Sequence, residues 1–106
     1  MPYRIASQLT FTDTYNRMTD EEQLAEQVAA LEIVANNGGT IDAQYVLWTD
    51  GVILSVVTFP DQAACVRCEL QISLRRAFEL RSQAALTVDE VVALQAEAKE
   101  AATIKV

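Results

Sequence analysis

The chain has 106 residues, about half of them apolar, and a net charge of −7. That is enough for one domain with a closed core, and the acidic balance argues against phosphate backbones and anionic membrane surfaces as partners. There is no histidine, which removes His-based triads, His acid–base chemistry and proximal-His haem ligation, and leaves Cys65 and Cys68 as the only thiolate metal ligands. The start, MPYRIASQ, has no apolar leader core, and no apolar run approaches about 18 residues. The expectation is a cytoplasmic, soluble protein forming a single domain over 1–106, with no nucleic-acid and no membrane partner and no cofactor.

Residues 3–9 alternate, with Tyr3, Ile5, Ser7 and Leu9 on one side and Arg4, Ala6 and Gln8 on the other, which predicts a strand. Residues 10–18 read as a loop or irregular helical turn with Tyr15 available to pack. Thr19 and Glu22 have capping-box spacing, and Asp20, Glu21 and Glu22 suit the positive end of a helix dipole. Leu24, Val28, Leu31 and Ala35, flanked by Ala25 and Ile33, then form the expected inner stripe of a helix that stops at Asn36-Asn37-Gly38-Gly39. Two β-prone runs, 40–48 and 52–59, flank Thr49-Asp50-Gly51, a hairpin signal. The first alternates Ile41, Ala43, Tyr45 and Leu47 against Asp42, Gln44, Val46 and Trp48. The second is apolar on both faces, as a central strand is. After Pro60, Asp61 is the expected cap of a helix over 61–75, with Ala64, Cys65, Cys68, Ile72 and Val66 facing inward and Arg75-Arg76 at the dipole's negative end. Residues 78–86 alternate again. Thr87 and Glu90 form a second capping box, opening a helix whose apolar face is Val88, Val91, Val92 and Leu94. The tail AEAKEAATIKV reads as an arm reaching a partner subunit or as a frayed helix.

The order β-α-β-β-α-β-α predicts a ferredoxin-like α+β fold: a four-stranded antiparallel sheet in the order 4-1-3-2, two helices on one face, and an extra C-terminal helix. The other face is left open. Its expected set is Arg4, Ala6 and Gln8; Asp42, Gln44, Val46 and Trp48; Glu79, Arg81 and Gln83; and, from the second hairpin strand, Val52, Leu54, Val56 and Thr58. Such a strip is too apolar to stand in water and too polar for a core. Sheet-to-sheet homo-oligomerisation through that face satisfies both demands.

Cys65 and Cys68 share a helix face with apolar residues, a full turn beyond the expected cap. A redox thiol needs the helix N-terminus to stabilise its thiolate, and zinc needs two more ligands, which only another subunit would bring. The expectation is a pair of core cysteines and no metal site. The candidate ligand-binding set is Arg4, Gln8, Gln44, Tyr45, Trp48 and Arg81, with arginine suited to carboxylate or phosphate. Arg4, Arg81 and Glu79 are expected to pair across neighbouring strands. On strict alternation Tyr45 and Trp48 point to opposite faces unless a bulge intervenes. The same polar set also reads as an isologous dimer interface, the preferred reading. Asp42 and Asp50 are too far apart for a catalytic carboxylate pair, and no catalytic residue is assigned.

The N-terminal strand, the helix ending in Asn37-Gly38-Gly39, the strand bearing Tyr45, the run Val56-Val57-Thr58-Phe59-Pro60-Asp61, the Ala-rich helix after it and Leu86-Thr87-Val88-Asp89-Glu90 together resemble the GYD-domain family. Where that family has its Gly-x-Tyr-Asp motif, this chain has Thr49, Gly51 and Val52, while the tyrosine before the motif matches at Tyr45. The resemblance implies a small bacterial homodimer of the dimeric α+β-barrel type with no assigned reaction. The functional expectation is a non-catalytic homo-oligomeric binding or assembly module with a small-molecule ligand in a sheet-lined cavity. The alternatives are a small cofactor-independent oxygenase or isomerase acting on a hydrophobic substrate and a redox-sensitive scaffold. An enclosed cavity of at least about 300 Å3 favours the enzyme.

Overall fold

Three helix starts are fixed by side chains at the expected positions. Thr19 Oγ1 accepts the Glu22 N–H while Glu22 accepts the Thr19 N–H. Thr87 and Glu90 repeat the exchange at 2.8 and 3.1 Å, and Asp61 accepts the Ala64 N–H at 2.8 Å. Each satisfies backbone donors that a first turn leaves orphaned. The computed structural model describes residues 1–104. Its elements are β1 (Tyr3–Phe11), α1 (Asp13–Asn16), α2 (Asp20–Asn36), β2 (Thr40–Leu47), β3 (Val52–Phe59), α3 (Gln62–Leu74), β4 (Phe78–Ala84) and α4 (Val88–Ile104). The strands form one antiparallel sheet in the order β2-β3-β1-β4. This is the ferredoxin-like α+β arrangement with an extra C-terminal helix. Among the described residues no helix is long and apolar enough to cross a membrane.

The core lies between the sheet and α3. Ile5, Leu9, Ile53, Val57, Phe59 and Phe78 meet Ala64, Cys65, Cys68 and Ile72 from the helix. Tyr15, from the short α1, is buried beside Phe11 and Phe78, with ring centroids 4.5 and 5.2 Å away. Val66, expected to face inward, is exposed instead, because it lies about 100° round the helix from Cys65, on the side away from Ala64, Cys68 and Ile72.

The roll of α2 also departs from expectation. Leu24 (61 % exposed), Val28, Leu31 and Ala35 are exposed rather than packed on the sheet, and no residue of α2 is buried. The half-buried positions are Gln23, Glu26, Ala29, Ala30, Ile33 and Val34. Polar tethers account for the rotation. Gln23 donates to the Tyr15 carbonyl and Gln27 to the Tyr15 hydroxyl. Glu26 takes a two-pronged ion pair from Arg75, which caps the end of α3. At the other end Asn37 donates to Gln71 and accepts from Arg67 of α3. Together these orient the helix by its polar side.

Strand β2 carries a bulge. Ile41 opposes Val57 and Ala43 opposes Val56, leaving Asp42 as an extra residue whose carboxylate accepts from the Thr58 hydroxyl at 2.6 Å. An extra residue reverses the facing of everything after it. Ala43, Tyr45 and Leu47 therefore lie on the open face, and Gln44 and Val46 on the helix side, the opposite of the alternation read from sequence. Trp48 is not in the strand. It belongs to the turn Trp48–Gly51, where Gly51 takes φ +65°, a conformation glycine adopts freely.

α4 stands apart. Its first turn is held by Arg4, which donates to Glu90 at 2.6 Å and to the Ala85 carbonyl at 3.1 Å. Beyond that Val88, Val91, Val92 and Leu94 are exposed. The chain extends 63 Å along its long axis, against 29 and 22 Å along the others, and its radius of gyration is 17.2 Å, where a compact domain of this length has about 13 Å. Part of the tail seen as an arm, residues 105–106, lies outside the described residues.

Candidate functional site

Register places three of the six candidate residues in one line across the open face. Tyr45 pairs with Leu54, Leu54 with Gln8, and Gln8 with Arg81, so neighbours in the row stand about 4.8 Å apart. The adjacent row is Leu47, Val52, Thr10 and Glu79. Val52 is buried, but Leu54 (37 % exposed), Leu47 and Tyr45 (67 %) are not. The face is thus an apolar ridge over β2 and β3 with a polar flank over β1 and β4. Arg81 forms no ion pair among the described residues. Arg4 lies at the far end of β1, opposite Thr58, and its partner is Glu90 of α4, not Glu79 or Arg81. The expected cross-strand pairing fails because β4 runs antiparallel to β1 and brings Ala85, not Arg81, to Arg4. Trp48, 89 % exposed in the turn, shares no site with the row.

Gln44 has gone to the other face, where a second line of polar groups crosses the sheet. Gln44 pairs with Ser55, Ser55 with Ser7, and Ser7 with Ser82. Gln44 donates to Ser55 Oγ at 3.3 Å. Ser7 and Ser55 are buried, and the buried Ser82 Oγ has no hydrogen-bond partner. Gln44, Ser55 and Ser7 of this row form part of the floor of a cavity of about 140 Å3 between the sheet, α2 and α3. Apolar wall residues include Ile53, Val57, Val34 and Ile72, and Gln27, Leu31 and Val46, each exposed, mark the side toward the sheet edge. Sequence reasoning missed this row, although each of β1, β3 and β4 carries one serine at an inward position. The cavity exists because α2 turns Ala30, Val34 and Gln27 toward the sheet, leaves Leu31 at its mouth and turns Leu24 away.

Cys65 and Cys68 are both 1 % exposed and unbridged. Burial pushes both thiols up, Cys65 to about 12, aided by its hydrogen bond to Glu69, and Cys68 to about 11. A thiol that holds its proton this firmly is a poor nucleophile. Among the described residues no three Cys, Asp or Glu side chains gather as a metal site.

No known family model and no curated protein matches the chain.

Proposed function

We propose that the chain is a cytoplasmic, non-catalytic homo-oligomeric binding or assembly module, related to the GYD-type dimeric α+β barrels, that associates with a second copy through the open sheet face. The observation that carries this reading is surface left without cover. The chain exposes 7607 Å2, where a compact protein of its mass exposes about 5900 Å2. The excess exceeds the roughly 800 Å2 that one partner buries in a stable dimer. The ridge of Tyr45, Leu47 and Leu54 and the apolar side of α4 are both unpartnered, and α4 is rooted on the open face through Arg4. An isologous pairing of two open faces buries both ridges, and each α4 then has a neighbouring subunit to lie against. The polar flank of Gln8 and Arg81 suits such a contact, since interfaces keep a polar rim and favour arginine.

The enzyme reading draws on the inner cavity, but its volume of about 140 Å3 is well under the roughly 300 Å3 of a usual substrate pocket. Native mass spectrometry of freshly purified protein tests the proposal. A dimer or larger even assembly is the expected result, and a lone monomer at micromolar concentration overturns it.

A further inference from the structure

We infer that the cavity beneath α2 is a binding site for a small ring-sized molecule that is apolar apart from one hydroxyl or carbonyl group. This gives a location and a chemical class to the ligand-binding half of the proposed function, and it does not depend on association. Size is the first argument. An apolar cavity near 150 Å3 stays dry and admits benzene, and this one measures about 140 Å3. The floor supplies the second. Apart from Ser7, Ser55, Gln44, Gln27 and Glu69, the space is walled by aliphatic and aromatic side chains and Cys68. The Ser7 hydroxyl, on a residue 7 % exposed, lines the space and makes no hydrogen bond among the described residues. Its cross-strand neighbour Ser82, whose buried hydroxyl has no partner, lies outside the cavity lining. A ligand hydroxyl or carbonyl would give the Ser7 hydroxyl the hydrogen-bond partner it lacks, in a space shielded from bulk water.

Access is the third argument. β2 is an edge strand, and the cavity opens along it between α2, at Gln27 and Leu31, and Val46. No residue of α2 is buried, so a ligand enters by a small outward shift of that helix without breaking the α3 core. One polar end at Ser7 and an apolar body against Ile53 and Val57 define the pose.

The test uses phenol and benzene as probes of equal ring size, titrated into the full-length protein and followed by amide chemical shifts. Saturable shifts centred on Ser7, Ile53, Val57 and Val34 are expected for both. Ser7→Ala should weaken phenol about threefold to tenfold, the range of one net hydrogen bond, while leaving benzene unchanged. Ala30→Leu, which keeps a good helix former and fills the space, should abolish both. Leu54→Asp, on the opposite face of the sheet, should bind phenol as the wild type does, whatever its subunit count. No saturable shifts at these residues, shifts confined to the open face, or Ser7→Ala and Ala30→Leu proteins that bind phenol unchanged would each overturn the inference.

Discussion

α2 and α3 lie on the same side of one sheet, yet only α3 is seated. α3 presents Ala64, Cys65, Cys68 and Ile72, all buried and all modest in size, so its axis comes close to the strands. α2 rests Ala30, Ile33 and Val34 half-buried against the core, is held by hydrogen bonds through Tyr15, Arg75 and Asn37, and leaves Leu24 and Leu31 exposed. Amphipathic pattern alone does not decide which side of a helix faces the sheet. Where hydrogen bonds to neighbouring elements fix the roll, an apolar stripe is left outside and a cavity within. α3 contributes fully buried apolar side chains, whereas α2 contributes half-buried ones and a set of hydrogen bonds to neighbouring elements.

The sharpest test of that contrast is truncation on the two helices. Ile72→Ala should cost about 2–5 kcal/mol in denaturant unfolding, the range for emptying a packed site, whereas Leu24→Ala should change stability by no more than about 0.5 kcal/mol. Equal costs would mean that α2 is packed like α3. Next comes alkaline titration of α3. The folded thiols are raised to about 12 and about 11 from an ordinary value of 9.0. Their contribution is complete below about pH 9 and is lost as pH rises toward 11–12, because the unfolded chain releases those protons first. Unfolding midpoints measured from pH 8 to 11 should fall, and the fall should shrink in Cys65→Ala. Under native conditions near pH 8 neither thiol should react with an aromatic disulfide reagent.

A smaller change is expected from the tethers of α2. Tyr15→Phe removes the hydroxyl that accepts from Gln27 and should cost about 0.5–1.5 kcal/mol, with hydrogen exchange quickened in α2 more than in α3. The smallest effect belongs to the exposed root of α4. Hydrogen bonds from Thr87 and then Arg4 hold the Glu90 carboxyl below the usual carboxylate range. A depressed carboxyl supports the fold above its ordinary pKa and loses that support as pH falls through its folded value. Acidification, or Glu90→Gln at neutral pH, should quicken amide exchange in the first turn of α4 and leave the unfolding midpoint of the sheet unchanged.

Much of the fold was legible in the residues. Thr19/Glu22, Asp61 and Thr87/Glu90 announce helix starts by chemistry internal to four residues, and the strand alternation and Asp50-Gly51 give element order and hence sheet order. The cysteine reading followed from helix spacing, the distance from the Asp61 cap and the apolar residues on the same face. What failed needed information from two elements at once. The Asp42 bulge is visible only in the register of β2 against β3, and it moves Gln44 off the open face and Tyr45 onto it. The roll of α2 depends on Tyr15, Arg75 and Arg67, which come from other elements. Of the candidate ligand set, Gln8, Tyr45 and Arg81 share a row, while Arg4, Gln44 and Trp48 each lie elsewhere.

Sedimentation velocity of the wild-type chain and of Leu54→Asp, over micromolar to near-millimolar concentration, tests most directly whether the bare sheet face meets its own copy. Leu54 lies in mid-row between Tyr45 and Gln8, so a carboxylate there would be buried unpaired in a face-to-face dimer. The wild type should sediment at about twice the 11.7 kDa chain mass, and Leu54→Asp as a folded monomer with unchanged circular dichroism. A wild type that remains monomeric throughout that range, or a Leu54→Asp protein that dimerises as readily, would contradict the account.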